Sequence, residues 1–428
     1  MDSELPASTH SPTSTHVVIG GGQAAAWIAR TLRTEGFAGR LVLIGDEPRW
    51  PYERPALSKE FLQGTGSVEA ITLLGADLAA SAGIECWLGH PVVSVDRERR
   101  LVTTADGRTV TYDTLYLATG GRVRRIPGLE STPSERIHTL RTLADSERLR
   151  AALGGAERLL VLGGGWIGLE VAATARKLGL AVTVVEAAPR LCARTMPPVV
   201  SDWLRALHDS HGVRVVTGVG VSALAATATG VTATLANGET VAGDLALVGI
   251  GIEPEVGLAA AMGLELDDGI VVDAQGRTSD PRVFAAGDVA RHPNGFAGAT
   301  LRLESWANAQ NQAIVAAKAA LGGTARYAEV PWFWSDQYGL NIQMLGLPGQ
   351  GTNALPRGAP ETGSGCWLML DAAGRAVGAV AVNAARDLRV LRKMLEDGHA
   401  PDPDAWADTT IPVQRLPSRP NPDRQPTR

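Results

Sequence analysis

The chain has 428 residues, too many for one hydrophobic core, so about two to four domains are expected. It is 45% apolar and 20% charged with 49 glycines, the composition of a loop-rich α/β enzyme and not of a coiled coil. A net charge of −5 argues against nucleic acid or an anionic membrane as the main partner, and no apolar run reaches the roughly 18 residues that cross a bilayer.

The N-terminal stretch "MDSELPASTHSPTST" has neither a basic start nor an apolar run, so no signal peptide is expected and residues 1–14 read as a disordered tail. Next comes "HVVIGGGQAAAWIARTL", a short apolar strand, a glycine loop Gly20-x-Gly22-x-x-Ala25 and a helix. A second strand, "RLVLIGDE", ends in Asp46 and Glu47, with Asp46 26 residues after Gly20. This spacing suits a dinucleotide. The first glycine makes a tight turn and the second lets backbone N–H groups approach a pyrophosphate. The third small residue lets helix and strand pack closely, and the carboxylate accepts from a ribose. Downstream, "DGRTVTYDTLYLATG" (Asp106 to Gly120) is an Asp-Gly hairpin feeding a buried strand that closes at a glycine.

The pattern then returns. "RLLVLGGGWIGLEVAATARKLGL" carries Gly163-x-Gly165-x-x-Gly168, "AVTVVE" ends at Glu186, 23 residues after Gly163, and "NGETVAGDLALVGIG" runs from Asn237 to Gly251. A single glycine loop is weak evidence, but loop, acid, hairpin and closing glycine recur in the same order, with the first glycines 143 residues apart. They predict duplicated dinucleotide-binding domains. "TSDPRVFAAGDVAR" reaches Gly287-Asp288 and precedes a helical run, so the chain returns to the first sheet. From about Ala328 the composition changes: "VPWFWSDQYGLNIQMLG" crowds two tryptophans and a tyrosine, and a helix follows near "ARDLRVLRKMLEDG". The proline-rich end, "RLPSRPNPDRQPTR", reads as a second tail. The expected fold is α/β: two Rossmann-like dinucleotide-binding domains plus a C-terminal α+β domain. Expected boundaries are a tail at 1–14, a discontinuous first domain at 15–122 and 252–327, a second at 123–251, a C-terminal domain at 328–415 and a tail at 416–428.

Two adjacent dinucleotide sites suggest two cofactors that exchange electrons. A first site whose sequence resumes after an insertion suits FAD, a large ligand needing both segments, and the inserted domain then suits a nicotinamide cofactor. Cys86, Cys192 and Cys366 lie far apart and form neither a CxxC nor a zinc pattern, as in a reduced cytoplasmic protein, and no metal site is expected.

In "PYERPALSK", "YDTLYLATGGRVRRIPG", "LGGGWIGLEVAATA", "TSDPRVFAAGDVAR", "RLESWANAQNQ" and "PWFWSDQY" the chain resembles the FAD-dependent pyridine nucleotide reductases. Within them it is similar to the NADH:ferredoxin reductases that serve Rieske-type oxygenases and bacterial cytochromes P450. The resemblance covers about residues 15–395 and departs at Ala56 and Glu255, where many relatives carry proline and asparagine. It implies a glutathione-reductase-like fold, FAD and NADH as cofactors, and a [2Fe–2S] ferredoxin partner (Rieske-type or P450-linked). It assigns Gly20, Gly22 and Ala24 to the FAD pyrophosphate and Asp46 to the adenosine ribose. Lys59, Val92, Arg141, Asp288 and Trp306 complete that site, with Lys59 close to the isoalloxazine. For the nicotinamide cofactor it points to Gly163, Gly165, Ile167 and Gly168, to Glu186 on the adenosine ribose, and to Glu170, in the first turn of the helix, near the nicotinamide. Lys59 and Glu170 are the implied catalytic residues. Glu186 repels a 2′-phosphate and "EAAPR" places no arginine immediately after it, which favours NADH over NADPH.

Each assignment has a structural alternative: Lys59 as a solvated helix lysine, Asp288 as the cap of the next helix, Glu170 as a helix-dipole partner, Trp306 as core. The rival activities are a thiol-based disulfide or peroxide reductase, which "DEPRWPYERPALSKEFLQG" disfavours because it has no cysteine, and a monodehydroascorbate or quinone-type NADH reductase. A binding or signalling flavoprotein like the apoptosis-inducing-factor relatives is a rival of another class. An acidic ferredoxin needs a basic surface, for which Arg386, Arg389, Arg392 and Lys393 are candidates. No membrane insertion and no nucleic-acid binding are expected, and a cytoplasmic location is.

Overall fold

Two five-stranded parallel sheets grow around the two glycine loops. The computed structural model describes residues 13–126, 134–396 and 399–420, so residues 1–12 and 421–428 of the expected tails lie outside the described residues. The chain forms two compact units: Met1–Arg54 with Ser67–Arg122 and Glu253–Glu329, and Pro55–Gly66 with Val123–Ile252 and Val330–Arg428.

In the first unit the strands are ordered Val283–Ala285, Thr114–Leu117, Thr15–Ile19, Arg40–Gly45 and Ile84–Leu88. Side chains alternate between faces, and both faces are buried, as a parallel sheet requires. Val18, Leu43, Tyr116 and Phe284 pack on one side with the helices Gln23–Thr34 and Trp306–Ala320. Those helices meet through alanines (Ala25, Ala29, Ala313, Ala317), whose small side chains allow close approach. On the other side, Val17, Ile19, Val42, Ile44, Leu115 and Leu117 meet Tyr112 and, from an antiparallel sheet formed by Val92–Asp96, Leu101–Thr104 and Thr109–Thr111, Val102 and Val110.

The second unit repeats this plan. Its sheet runs Ile137–His138, Leu245–Val248, Arg158–Leu162, Ala181–Glu186 and Val213–Thr217, the same order with the loop strand at the centre. One face is covered by the antiparallel strands Val221–Ala226, Val231–Leu235 and Thr240–Gly243. The repeat extends to single positions. Gly107 and Gly238, the second residues of the two hairpin turns, have φ of 85° and 86°, the left-handed region that the turn demands and only glycine enters freely.

The C-terminal segment forms an antiparallel sheet in the order Trp332–Gln337, Leu340–Gly346, Ala376–Val382, Ser364–Leu370, Asn353–Ala359. Its inner face (Ile342, Met344, Trp367, Met369, Val380, Val382) shares one core with Val161, Val184, Leu191 and Trp203 of the parallel-sheet region. Helix Ala385–Glu396 buries Leu388, Leu391 and Leu395, spaced three and four apart. The expected C-terminal tail starts too early. Leu416 is buried, and Ser418–Pro420 pairs antiparallel with His399–Pro401. Among the described residues no helix is long and apolar enough to cross a membrane.

Candidate functional site

Each cradle begins with a glycine that no other residue could replace. Gly20 has φ 137° and a Cβ there would stand 2.2 Å from the Ala118 carbonyl oxygen; Gly163 has φ 114° and its Cβ would stand 2.4 Å from that of Gly249. Ala118 and Gly249 occupy the same place in the two closing strands, since their N–H groups donate to Ile19 and Leu162 at 2.8 Å each. A Cβ on the third glycine, Gly168, would fall 2.1 Å from the Gly163 carbonyl oxygen, so helix and loop touch there. Both cradle helices, Gln23–Thr34 and Trp166–Lys177, start from a glycine (Gly22, Gly165) that offers no side-chain cap, and neither has an acid in its first turn. Two other long helices are capped by Thr142 and Ser305, whereas those that start at Ala76, Pro198 and Gly257 carry no side-chain cap either. Uncapped N–H groups at the positive end of a helix suit a pyrophosphate, and the two cradles therefore fit the two dinucleotides.

The first unit gathers most residues assigned to FAD. Gly20, Gly22 and Ala24 lie at the cradle. Gly287 packs against Ala24, as its Cβ would come within 3.1 Å of that side chain, and this sets Asp288 beside the cradle. Asp288 caps no helix: the next one starts at Trp306, and Ser305 caps it. Trp306 is partly buried, and the Gln23 side-chain oxygen, oriented to serve both indoles, accepts from Trp306 Nε1 at 3.1 Å and Trp27 Nε1 at 3.3 Å. Val92 opens an antiparallel strand and packs on the opposite face from the cradle helix.

The acids are not equivalent. Gly20 N–H donates to Ile44 and Gly163 N–H to Val185, so the counterpart of Glu186 is Gly45, and Asp46 lies one residue further on. Asp46 is exposed, while Glu47 is engaged by Tyr52 Oη (2.6 Å) and Arg54 Nη2 (2.9 Å). Glu186 accepts from Gly164 N–H (2.6 Å, Oε2) and Ala188 N–H (2.7 Å, Oε1), which fixes its carboxylate at the mouth of the second cradle with lone pairs to spare. The nearby Arg190 is committed elsewhere: its guanidinium donates to the Met196 carbonyl, to Ser201 Oγ at 2.8 Å and to the Ala193 carbonyl at 3.1 Å. Ile167 is exposed in the first turn beside Gly165.

Lys59, Glu170 and Arg141 belong to the second unit. Arg141 follows the edge strand Ile137–His138 by three residues, as Asp288 follows Val283–Ala285 in the other sheet. Lys59 is no solvated lysine: it is buried, and its Nζ lies 2.9 Å from Glu170 Oε1 and donates to the Pro55 carbonyl at 3.1 Å. Glu170 stands in the second turn of its helix, not the first, and is buried. Its carboxylate also accepts from Ser58 Oγ and from Ser335 Oγ (2.6 Å). Sequence reasoning missed Ser58, Ser335, Gln337 and His208. The available signal was Ser335-x-Gln337, two polar residues on one face of a strand in an otherwise apolar sheet.

The three cysteines are unpaired. Burial, with Glu85 nearby, pushes the Cys86 thiol up to about 11; burial, with Asp387 nearby, pushes Cys366 up to about 12; Cys192 is raised further by burial beside Glu186 and Glu170. None carries the thiolate that a disulfide reductase needs.

Residues 14–313 match the family model for pyridine nucleotide-disulphide oxidoreductases, and residues 332–416 match that for the reductase C-terminal domain. The chain belongs to the pyridine nucleotide-disulphide oxidoreductase family. It is 43% identical to the ferredoxin–NAD(+) reductase component of the anthranilate 1,2-dioxygenase system of Burkholderia cepacia, over 92% of this chain and 97% of that protein. Among solved structures, it is similar to the covalent putidaredoxin reductase–putidaredoxin complex (34% identity, TM-score 0.90, covering 94% and 98%). It is also similar to the ferredoxin reductase for the CYP199A2 system of Rhodopseudomonas palustris (36%, 0.90, 94% and 99%). The family is one of FAD- and NAD-dependent oxidoreductases, as the two cradles require.

Proposed function

We propose that this chain is an NADH:ferredoxin reductase, taking two electrons from NADH through FAD and passing them singly to a [2Fe–2S] ferredoxin that serves a Rieske oxygenase or a cytochrome P450. The observation that carries this reading is the pair of uncapped glycine cradles, one of them with Glu186 locked across its mouth. The named relatives are ferredoxin reductases of dioxygenase and P450 systems. Raised thiol pKa values disfavour the disulfide-reductase alternative.

In this reading FAD lies with the segments 15–122 and 252–327, NADH with 123–251, and residues 328–415 form the C-terminal domain. Gly20, Gly22, Ala24, Asp46, Val92, Arg141, Asp288 and Trp306 serve FAD; Gly163, Gly165, Ile167, Gly168 and Glu186 serve NADH; Lys59 and Glu170 serve both. Bound flavin supplies the two-electron and one-electron chemistry. The chain's part is to orient the cofactors through backbone N–H groups and to set a buried ammonium, Lys59, where negative charge gathers on reduction. For the partner, Arg386, Arg389 and Lys393 are exposed on helix Ala385–Glu396, and the Arg392 guanidinium lies 5.8 Å over the Trp332 ring, itself stacked on Trp334. That basic face suits an acidic ferredoxin. Three unpaired thiols suit the cytoplasm, where we place the reaction. The test is NADH-driven cytochrome c reduction by the purified flavoprotein with and without [2Fe–2S] ferredoxins. Strong dependence on an added ferredoxin is expected; no response to any, with fast turnover on a quinone or a disulfide, would reassign it.

A further inference from the structure

Behind Glu170 runs a line of buried polar side chains for which neither cofactor assignment nor packing accounts. Ser335 Oγ lies 2.6 Å from Glu170 Oε1, Gln337 Nε2 lies 3.0 Å from Ser335 Oγ, and His208 Nε2 lies 2.8 Å from Gln337 Oε1. Tyr338 Oη lies 3.0 Å from His208 Nδ1. Glu170, Ser335, Gln337 and His208 are each at most 1% exposed. The line ends at half-buried Tyr338, whose ring stacks on exposed His211 at 3.7 Å. Tyr338 takes φ 53° in the turn between two strands, an unfavourable conformation for a tyrosine that keeps its hydroxyl on His208.

The donors in this line can point only one way. A carboxylate paired with an ammonium accepts and cannot donate, so Ser335 donates its proton to Glu170. The Ser335 oxygen then accepts from the Gln337 amide N–H, which turns the amide oxygen toward His208. His208 must therefore carry its proton on Nε2, leaving Nδ1 to accept from the Tyr338 hydroxyl. Burial lowers the His208 pKa to about 4, which keeps the ring neutral as this pattern demands. Aligned bonds polarise one another and converge on one oxygen, the same Oε1 that holds Lys59 Nζ at 2.9 Å.

We propose that Ser335, Gln337 and His208 are positioning residues for the Lys59–Glu170 pair, and that this one-way hydrogen-bond line sets the electrostatic position of Lys59 toward the flavin. The proposal rests on the FAD and NADH reading above. The groups around it are few: Cys192 faces Glu170, while Asp209 and His211 face His208. Cutting the line loosens the Glu170 carboxylate, lets the Lys59 ammonium shift with it, and makes flavin harder to reduce.

The test uses the full-length holoprotein with Gln337→Met, Ser335→Ala and His208→Phe, and with His208→Gln, which keeps a donor near the Nε2 position. FAD content and melting temperature are recorded for each. The readouts are the rate of anaerobic flavin reduction by NADH and the flavin midpoint potential. The three cutting variants are expected to retain FAD, to reduce at least tenfold more slowly and to show a potential lower by about 30 mV, a tenfold change for a two-electron couple. His208→Gln should restore both. In a Lys59→Met background, Gln337→Met should add nothing further, because the line acts through the pair. Unchanged potential and rate in FAD-replete variants, or additive effects with Lys59→Met, would overturn the proposal and leave the parent reading intact. A wild-type protein that NADH cannot reduce would instead overturn the parent reading.

Discussion

Lys59 Nζ stands 2.9 Å from Glu170 Oε1, with both side chains buried, and Ser58 and Ser335 also donate to that carboxylate. A buried ion pair is held up by its partners, and removing one charge strands the other. Glu170→Ala is therefore expected to destabilise the protein by about 3–5 kcal/mol, read as a lower melting temperature. The double variant Lys59→Met/Glu170→Leu should recover most of that stability. It should not recover the rate of flavin reduction by NADH. Recovery of both would mean the pair serves folding alone.

In the proposed reading, Glu186 governs the choice of nicotinamide. Its carboxylate is fixed by Gly164 and Ala188 N–H groups, and Arg190 is held by carbonyls, so a 2′-phosphate would meet the negative charge of Glu186 without help from Arg190. Wild-type protein should prefer NADH by at least about tenfold in kcat/KM, roughly the effect of one unfavourable charge contact at partial burial. Glu186→Gln should narrow that ratio chiefly by weakening NADH binding. Glu186→Gln with Ala187→Arg should invert it. Steady-state kinetics with both cofactors decide this.

The proposed docking face makes a salt-dependent prediction. Arg386 and Arg389 are exposed on the helix Ala385–Glu396, so Arg386→Glu/Arg389→Glu should raise the KM for a [2Fe–2S] ferredoxin about tenfold at low ionic strength. The gap should close as salt screens the exposed charges. Ferricyanide reduction should be unaffected, since a small anion needs no docking. An unchanged ferredoxin KM and salt dependence would exclude this face.

Much of the fold was legible because its signals are local and repeated. Glycine loops, Asp-Gly and Asn-Gly turns and closing glycines each demand a backbone that few residues can adopt, and the two units carry them in one order. Positions fixed by tertiary contact were not legible. Asp46 looks equivalent to Glu186 when residues are counted from the glycine, yet strand register makes Gly45 the counterpart, because the link from cradle helix to second strand is longer in the first unit while the two helices are equal in length. Glu170 looked like a helix-start acid; it is a second-turn residue whose partners come from residues 58, 59 and 335. Leu416 sits in a proline-rich, charged stretch but is buried, with the ordered strand Ser418–Pro420 just beyond it. Composition cannot report such pairing.

Two buried histidines give the stability a direction with pH. Burial lowers the pKa of His208 and of His292 to about 4, against an unfolded value of 6.5. Below pH 6.5 the unfolded chain binds protons that the folded chain refuses, so stability is full above that pH and falls until about pH 4. Each histidine contributes a slope of up to about 1.4 kcal/mol per pH unit inside that window. His208 lies among Asp209, His211, Gln337 and Tyr338, of which Asp209 opposes the shift and His211 adds to it. Urea titrations at pH 7, 5.5 and 4.5 should show midpoints falling with pH, and His208→Gln should flatten the fall by about half. An equal slope in that variant would remove His208 from the account.

The two cradles can be told apart by breaking one at a time. Gly20→Ala forces a Cβ to within 2.2 Å of the Ala118 carbonyl oxygen at φ 137°, and Gly163→Ala does the same against Gly249 at φ 114°. Both strain a position that L-residues avoid, so both open the loop, but each should cost a different ligand. Gly20→Ala is expected to purify with little or no flavin absorbance, and adding NADH cannot then reduce anything. Gly163→Ala should remain yellow with a normal flavin spectrum. Dithionite should bleach it as fast as the wild type, because that reductant needs no second cradle, whereas NADH should bleach it at least tenfold more slowly. If Gly163→Ala lost the flavin and Gly20→Ala kept it, the cofactor assignment would be reversed. If both lost it, the loops would be coupled through folding and not through separate ligands.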